Sequence, residues 1–104
     1  MEFIETSVFT KLVYELMTDD DYRMVQQSLV LRPGAGKIIK GSGGLRKIRC
    51  NMVGRGKRGG LRLIYYWDKN QSKIYMLLIY QKSRQDDLTP TQLKVLKDLM
   101  KEML

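Results

Sequence analysis

Apolar positions along this chain follow two rhythms. Val8, Phe9, Leu12, Val13, Leu16 and Met17 recur at the spacing of a helix with one core-facing stripe. Thr6 or Ser7 stands where a capping hydroxyl is needed. Thr18-Asp19-Asp20-Asp21 interrupts the stripe. An aspartate here can cap a second helix, and the remaining acids favour its positive end. In that helix Tyr22, Met24, Val25 and Leu29 face inward until Pro33-Gly34 closes it. Two helices with a short link predict a helical hairpin. Upstream, Glu2-Phe3-Ile4-Glu5-Thr6 alternates weakly, as a short opening strand would.

The rhythm then changes to a period of two. Residues 34–44 are a glycine-rich connection. From Leu45 to Val53, Ile48, Cys50 and Met52 point one way, and Lys47, Arg49 and Asn51 the other. A loop over 54–60 follows. The next strand, Leu61 to Trp67, sets Leu61, Leu63, Tyr65 and Trp67 on one face and Arg62, Ile64 and Tyr66 on the other. After a turn at 68–72, the run from Lys73 to Lys82 is apolar almost throughout its middle, which predicts a central strand covered on both faces. The tail opens with Thr89 as N-cap, Pro90 at the first helical position and Gln92 completing a capping box, with Leu88 and Leu93 as a staple. Leu93, Leu96, Met100 and Met103 give that last helix its stripe. The expected order is β-α-α-β-β-β-α: an α+β fold in which an antiparallel sheet packs against an N-terminal helical hairpin and a C-terminal helix. At 104 residues the chain predicts a single domain over 1–104.

Charge sharpens this picture. The formal net charge is +8, which favours a polyanionic partner. Its distribution is uneven. Residues 22–67 carry eleven bases and no acid, whereas residues 1–21 carry six acids and one base. All nine glycines fall within 34–67, interleaved with Lys37, Lys40, Arg46, Lys47, Arg49, Arg55, Lys57, Arg58 and Arg62. Cationic side chains beside glycine, which lets backbone approach a ligand, suit phosphate. If the strands form a meander, Lys47, Arg49, Arg62 and Lys82 converge on one patch. Tyr66 and Tyr80 are the tyrosines placed to offer rings for base stacking on an open face, while Tyr65, Trp67 and Tyr75 take core positions.

Several chemistries are set aside. Gly54-x-Gly56-x-x-Gly59 has the letters of a dinucleotide fingerprint, but a strand follows it where that motif opens a helix. Gly34-Ala35-Gly36-Lys37 lacks the spacing of a phosphate-loop NTPase. With Cys50 as the sole cysteine and no histidine, neither an intrachain disulfide nor a zinc or catalytic-thiol spacing is available, which fits a reduced cytoplasmic setting. Cys50 reads as a small buried hydrophobe. No run of about eighteen apolar residues occurs, and the N-terminus lacks the pattern of a signal peptide. RNA cleavage needs neither histidine nor a metal. The 2′-hydroxyl is an internal nucleophile, so cations that position it and neutralise the phosphorane suffice.

The segments Gly41-Ser-Gly-Gly-Leu-Arg-Lys-Ile-Arg49, Gly54-Arg-Gly-Lys-Arg-Gly-Gly-Leu-Arg-Leu-Ile-Tyr-Tyr66 and Leu78-Ile-Tyr-Gln-Lys82 resemble toxins of the RelE/ParE superfamily, with the HigB branch of the RelE-like group the nearest. The resemblance implies a type II toxin that cleaves translated mRNA in the ribosomal A site without a metal or other cofactor. Its partners would be the ribosome, mRNA and a cognate HigA-like, DNA-binding antitoxin, through which it would reach operator DNA. By position, Lys47 and Arg49 match the paired bases that hold phosphate and assist proton transfer, Arg62 the arginine on the scissile phosphate, and Lys82 the basic motif after the last strand. Arg46, Arg55, Lys57, Arg58 and Arg84 would add RNA contacts. The sequence departs from the RelE pattern in two places: Ser83 replaces an arginine, with Arg84 beside it, and Gln85-Asp86-Asp87-Leu88 lacks an aromatic. The alternatives are a non-catalytic gyrase inhibitor of the ParE kind and a plain RNA-binding module.

Overall fold

The computed structural model describes residues 1–50 and 60–104. The chain runs β1 (Glu2–Glu5), α1 (Ser7–Leu16), α2 (Asp19–Leu31), β2 (Lys37–Ile38), β3 (Arg46–Cys50), β4 (Leu61–Asp68), β5 (Lys73–Gln81) and α3 (Pro90–Met103). The strands form one sheet in the order β1-β5-β4-β3-β2. The expected meander β3-β4-β5 is antiparallel, and β1 joins its β5 edge in parallel. The α+β class and the helix placement are those the sequence predicts. The one added element is β2, a two-residue edge strand pairing Lys37 with Lys47 inside the stretch expected to be pure connection.

Alternation along β4 divides the core between two faces of the sheet. Leu61, Leu63 and Tyr65 pack with Phe9, Val13, Met17 and Leu29 of the hairpin, joined by Ile74, Met76, Ile79 and Cys50. Ile64 packs on the opposite face with Leu96 and Met100 of α3, joined by Leu45, Tyr75, Leu77 and Tyr80. A bulge opposite Ile64/Tyr65 brings Leu77 and Leu78 to the same α3 face, because β5 spends one extra residue there. Central β5 is thus covered on both sides.

The helix caps are built from threonine. Thr6 and Thr18 cap α1 and α2, accepting from Phe9 N and Asp21 N. The aspartates expected to cap α2 fill its first turn instead, where they meet the helix's positive end. Thr89 and Gln92 form the full capping box of α3 with Pro90 in the first turn. Met24 and Val8, expected to face the core, are exposed. Among the described residues no helix is long and apolar enough to cross a membrane.

Candidate active site

The register of the three antiparallel strands builds the site. Arg49 on β3 lies directly opposite Arg62 on β4, and Arg62 directly opposite Tyr80 on β5. Opposed residues share a face, so these side chains form a row across the sheet on the α3 side, with strands about 4.8 Å apart. Lys47 stands two residues from Arg49 on the same face, in line with Ile64. At the end of the β4–β5 ladder the Lys82 N–H donates to Gly60 O at 3.2 Å, which brings Lys82 to the head of the row. Four expected residues, Lys47, Arg49, Arg62 and Lys82, are thereby gathered at one end of the sheet.

Their environments differ. Arg62 is only 4% exposed, and its guanidinium donates to Leu61 O at 3.3 Å. A guanidinium presents its donors as a planar fork. Arg49 is exposed. Lys47 donates from Nζ to Asp87 Oδ1 at 3.1 Å. That bond is the main cause holding the Asp87 carboxyl below its usual value. Asp87 also accepts from Leu88 N at 3.0 Å. The loop that carries it is tied to α3, since Gln85 Nε2 donates to Asp87 O and to Gln92 Oε1, both at 2.9 Å. Sequence reasoning did not assign Asp87. Its partner lies forty positions away in the chain, and no local pattern announces the pair.

Three expectations are corrected. Arg46 lies on the other face of β3, opposite Tyr65, where it is already engaged: it donates to Gly34 O at 3.2 Å and Gly36 O at 2.9 Å and sits 6.0 Å from the Trp67 ring centroid. Alternation puts it on the hairpin side, and it clamps the 34–36 segment there. Tyr80 is not an open stacking platform. It is 7% exposed because the bulged β5 turns it under the α3-side core. Tyr66 shares that face but is half-buried against Tyr75, with centroids 6.3 Å apart. It stands four residues from Arg62, roughly 13 Å along the strand. Arg84 is exposed and borders a groove with Leu12, Glu15, Leu16 and Tyr80 on the outer side of β5. Arg55, Lys57 and Arg58, like the Gly54-x-Gly56-x-x-Gly59 letters, lie outside the described residues.

Glycine shapes a turn in the described part. Gly41, Gly43 and Gly44 take positive φ in a turn closed by Ser42, whose hydroxyl donates to Ile39 O and accepts from Leu45 N. Cys50 is buried, as expected, and burial pushes its thiol up to about 11, so it is held as an inert thiol beside the site.

The sheet thus lines up Lys47, Arg49, Arg62 and Tyr80 on one face, with the Asp87 carboxylate already bound to Lys47. The family of the RelE toxin of the RelE/RelB toxin–antitoxin system matches residues 20–104, and the chain belongs to that family. Among solved structures it is similar to a mutant of the E. coli toxin RelE in the free state, with a TM-score of 0.57 and 13% identity over 82% of this chain and 86% of that one. This likeness supports the fold.

Proposed function

We propose that this protein is the toxin of a type II toxin–antitoxin pair and acts as a ribosome-dependent endoribonuclease on translated mRNA. The observation that carries the reading is the register of β3, β4 and β5, which aligns Arg49 and Arg62 with Lys47 beside them. Family membership supports it.

In the mechanism, the substrate's 2′-oxygen attacks phosphorus and the bond from phosphorus to the 5′-oxygen breaks. The products are a 2′,3′-cyclic phosphate and a 5′-hydroxyl. Arg62 meets two oxygens of the scissile phosphate through its fork and stabilises the phosphorane, where negative charge is greatest. Arg49 holds the phosphate from the exposed side. Lys47 and Lys82 assist the transfer of the 2′-proton and its delivery to the leaving oxygen. Arg84, Arg55, Lys57 and Arg58 add phosphate contacts outside the reacting centre. Arg46 is left out of this set because its guanidinium serves the 34–36 segment. The partners are the ribosome, its message and a cognate antitoxin of the HigA-like, DNA-binding kind, which carries the toxin to operator DNA.

Primer extension on a reporter mRNA in a cell-free translation reaction tests the reading. Discrete cuts that require both the protein and ribosomes are expected. Intact message with unaffected translation would overturn it and turn the search to gyrase or to simple RNA binding.

A further inference from the structure

Tyr80 presents the one buried side-chain polar atom that lacks a hydrogen-bond partner among the described residues. The side chain is 7% exposed. An orphaned hydroxyl in a protein interior costs free energy, so such a group calls for an explanation. The contrast with Tyr65 is instructive. That ring is fully buried too, but its hydroxyl donates to Pro33 O at 2.7 Å and accepts from Gly36 N at 2.9 Å. Tyr65 is thus satisfied at both lone pair and proton.

The position of Tyr80 supplies the explanation. It completes the row Arg49–Arg62–Tyr80 across three strands. The Arg62 guanidinium and the Asp87 carboxylate both act on its hydroxyl electrostatically. Asp87 is meanwhile held by Lys47 of the same cluster. The free protein thus rests an internal carboxylate on a cation whose face also carries an unpartnered donor, an arrangement an incoming phosphate can take over.

We propose that Tyr80 is a catalytic residue of this site: its hydroxyl donates a hydrogen bond to a non-bridging oxygen of the scissile phosphate, beside Arg62, when that phosphate replaces the Asp87 carboxylate on Lys47. The inference rests on the RNA-cleavage reading above. Tyr80 keeps its proton throughout. It gives a bond that strengthens as the phosphoryl oxygens gain charge toward the phosphorane, and a donor realised most fully there accelerates the step. Burial favours the neutral phenol, so the donor is present across the physiological pH range.

Tyr80→Phe removes one oxygen and keeps the ring in the α3-side core. The test compares the wild type, Tyr80→Phe and, as a structural control, Tyr65→Phe in single-turnover cleavage of a ribosome-bound message from pH 6 to 9, with ribosome pelleting and thermal melting alongside. The expected result for Tyr80→Phe is a loss of about 100-fold in the cleavage rate constant. Melting temperature stays at or above that of the wild type, ribosome binding is unchanged, and the pH profile is parallel. Tyr65→Phe should do the reverse, lowering the melting temperature and sparing the rate of the folded fraction. Wild-type cleavage matched by Tyr80→Phe would overturn the proposal and leave the endoribonuclease reading standing. So would a rate loss tracking a loss of melting temperature, or one that abolishes a limb of the pH profile. A wild type that cuts nothing would overturn both.

Discussion

At the scale of single residues, neighbours on one strand have opposite fates, and the pleat decides which. Arg46 and Lys47 are adjacent and equally basic. One clamps backbone on the hairpin side, and the other pairs with Asp87 on the α3 side. Their alternation was legible in the sequence, but the partner waiting on each face was not, because Gly34, Gly36 and Asp87 are distant in the chain. The same holds for the tyrosines. Tyr65 was legible as core from its apolar neighbours. That its hydroxyl fastens Pro33 and Gly36 depends on tertiary closeness, which is tight enough that a Cβ on Gly36 would meet the ring at 2.9 Å. Tyr65→Phe should therefore cost about 1–3 kcal/mol in denaturant unfolding, since it leaves a buried N–H and a carbonyl unsatisfied. Arg62→Lys tests a different property. It keeps the charge and loses the fork, so cleavage should fall about 100-fold while the message-bound ribosome is still bound. Retained cleavage would mean that charge alone suffices at that position.

At the scale of elements, the strongly periodic or strongly capped pieces announced themselves. The α3 capping box stands as the letters Thr89-Pro90-Thr91-Gln92 promise. Its Gln92 has a second task, holding Gln85 and so the loop that carries Asp87. The two-residue β2 could not be read, because no period shows in so short a strand; its pairing with β3 defines it. The bulge on β5 was hidden for a similar reason, as a continuous apolar run gives no sign of where the alternation slips. It is that slip which helps turn Tyr80 under the core and spoils the expectation of an open ring. The Lys47–Asp87 pair joins two of these elements and has a defined pH dependence. Asp87 ionises below its ordinary value of 3.8 in the folded protein, so the pair stabilises the fold above that pH and is lost as pH falls through the lowered value. With the Asp87 side chain 64% exposed, solvent screening keeps the contribution small, at most ~1 kcal/mol. Asp87→Asn should therefore be slightly less stable than the wild type at pH 7, and the difference should begin to shrink as pH falls below 3.8 and vanish only below the lowered value, in acid denaturation monitored by circular dichroism.

At the scale of the whole molecule, the excess of positive charge is an arrangement as much as a quantity. The acids that open the chain sit on α1, α2 and β1, and one of them is spent internally: Glu5 accepts from Tyr22 Oη and Thr10 Oγ1, both at 2.6 Å. The basic middle of the chain supplies β3 and β4, the strands that carry the row. A net charge of +8 so distributed steers a polyanion to one end of the sheet. Affinity and chemistry then separate. On the proposed reading, exposed Arg49 and Arg84 would meet phosphates through counterion release, and each would contribute to the slope of log affinity against log salt by roughly 0.7 per phosphate neutralised on a single strand. Arg62 and Tyr80 are buried, and on the proposed reading they would act on the rate and leave the salt slope unchanged. Arg49→Gln and Arg84→Gln should each flatten the salt dependence of RNA binding by about that amount, measured by fluorescence anisotropy with a labelled oligoribonucleotide. Tyr80→Phe should leave the slope unchanged while lowering the cleavage rate. Were Tyr80→Phe to flatten the slope, or were Arg49→Gln to leave it untouched, the division between an exposed binding rim and a buried reacting row would be wrong. The basic block would then act as one continuous electrostatic surface.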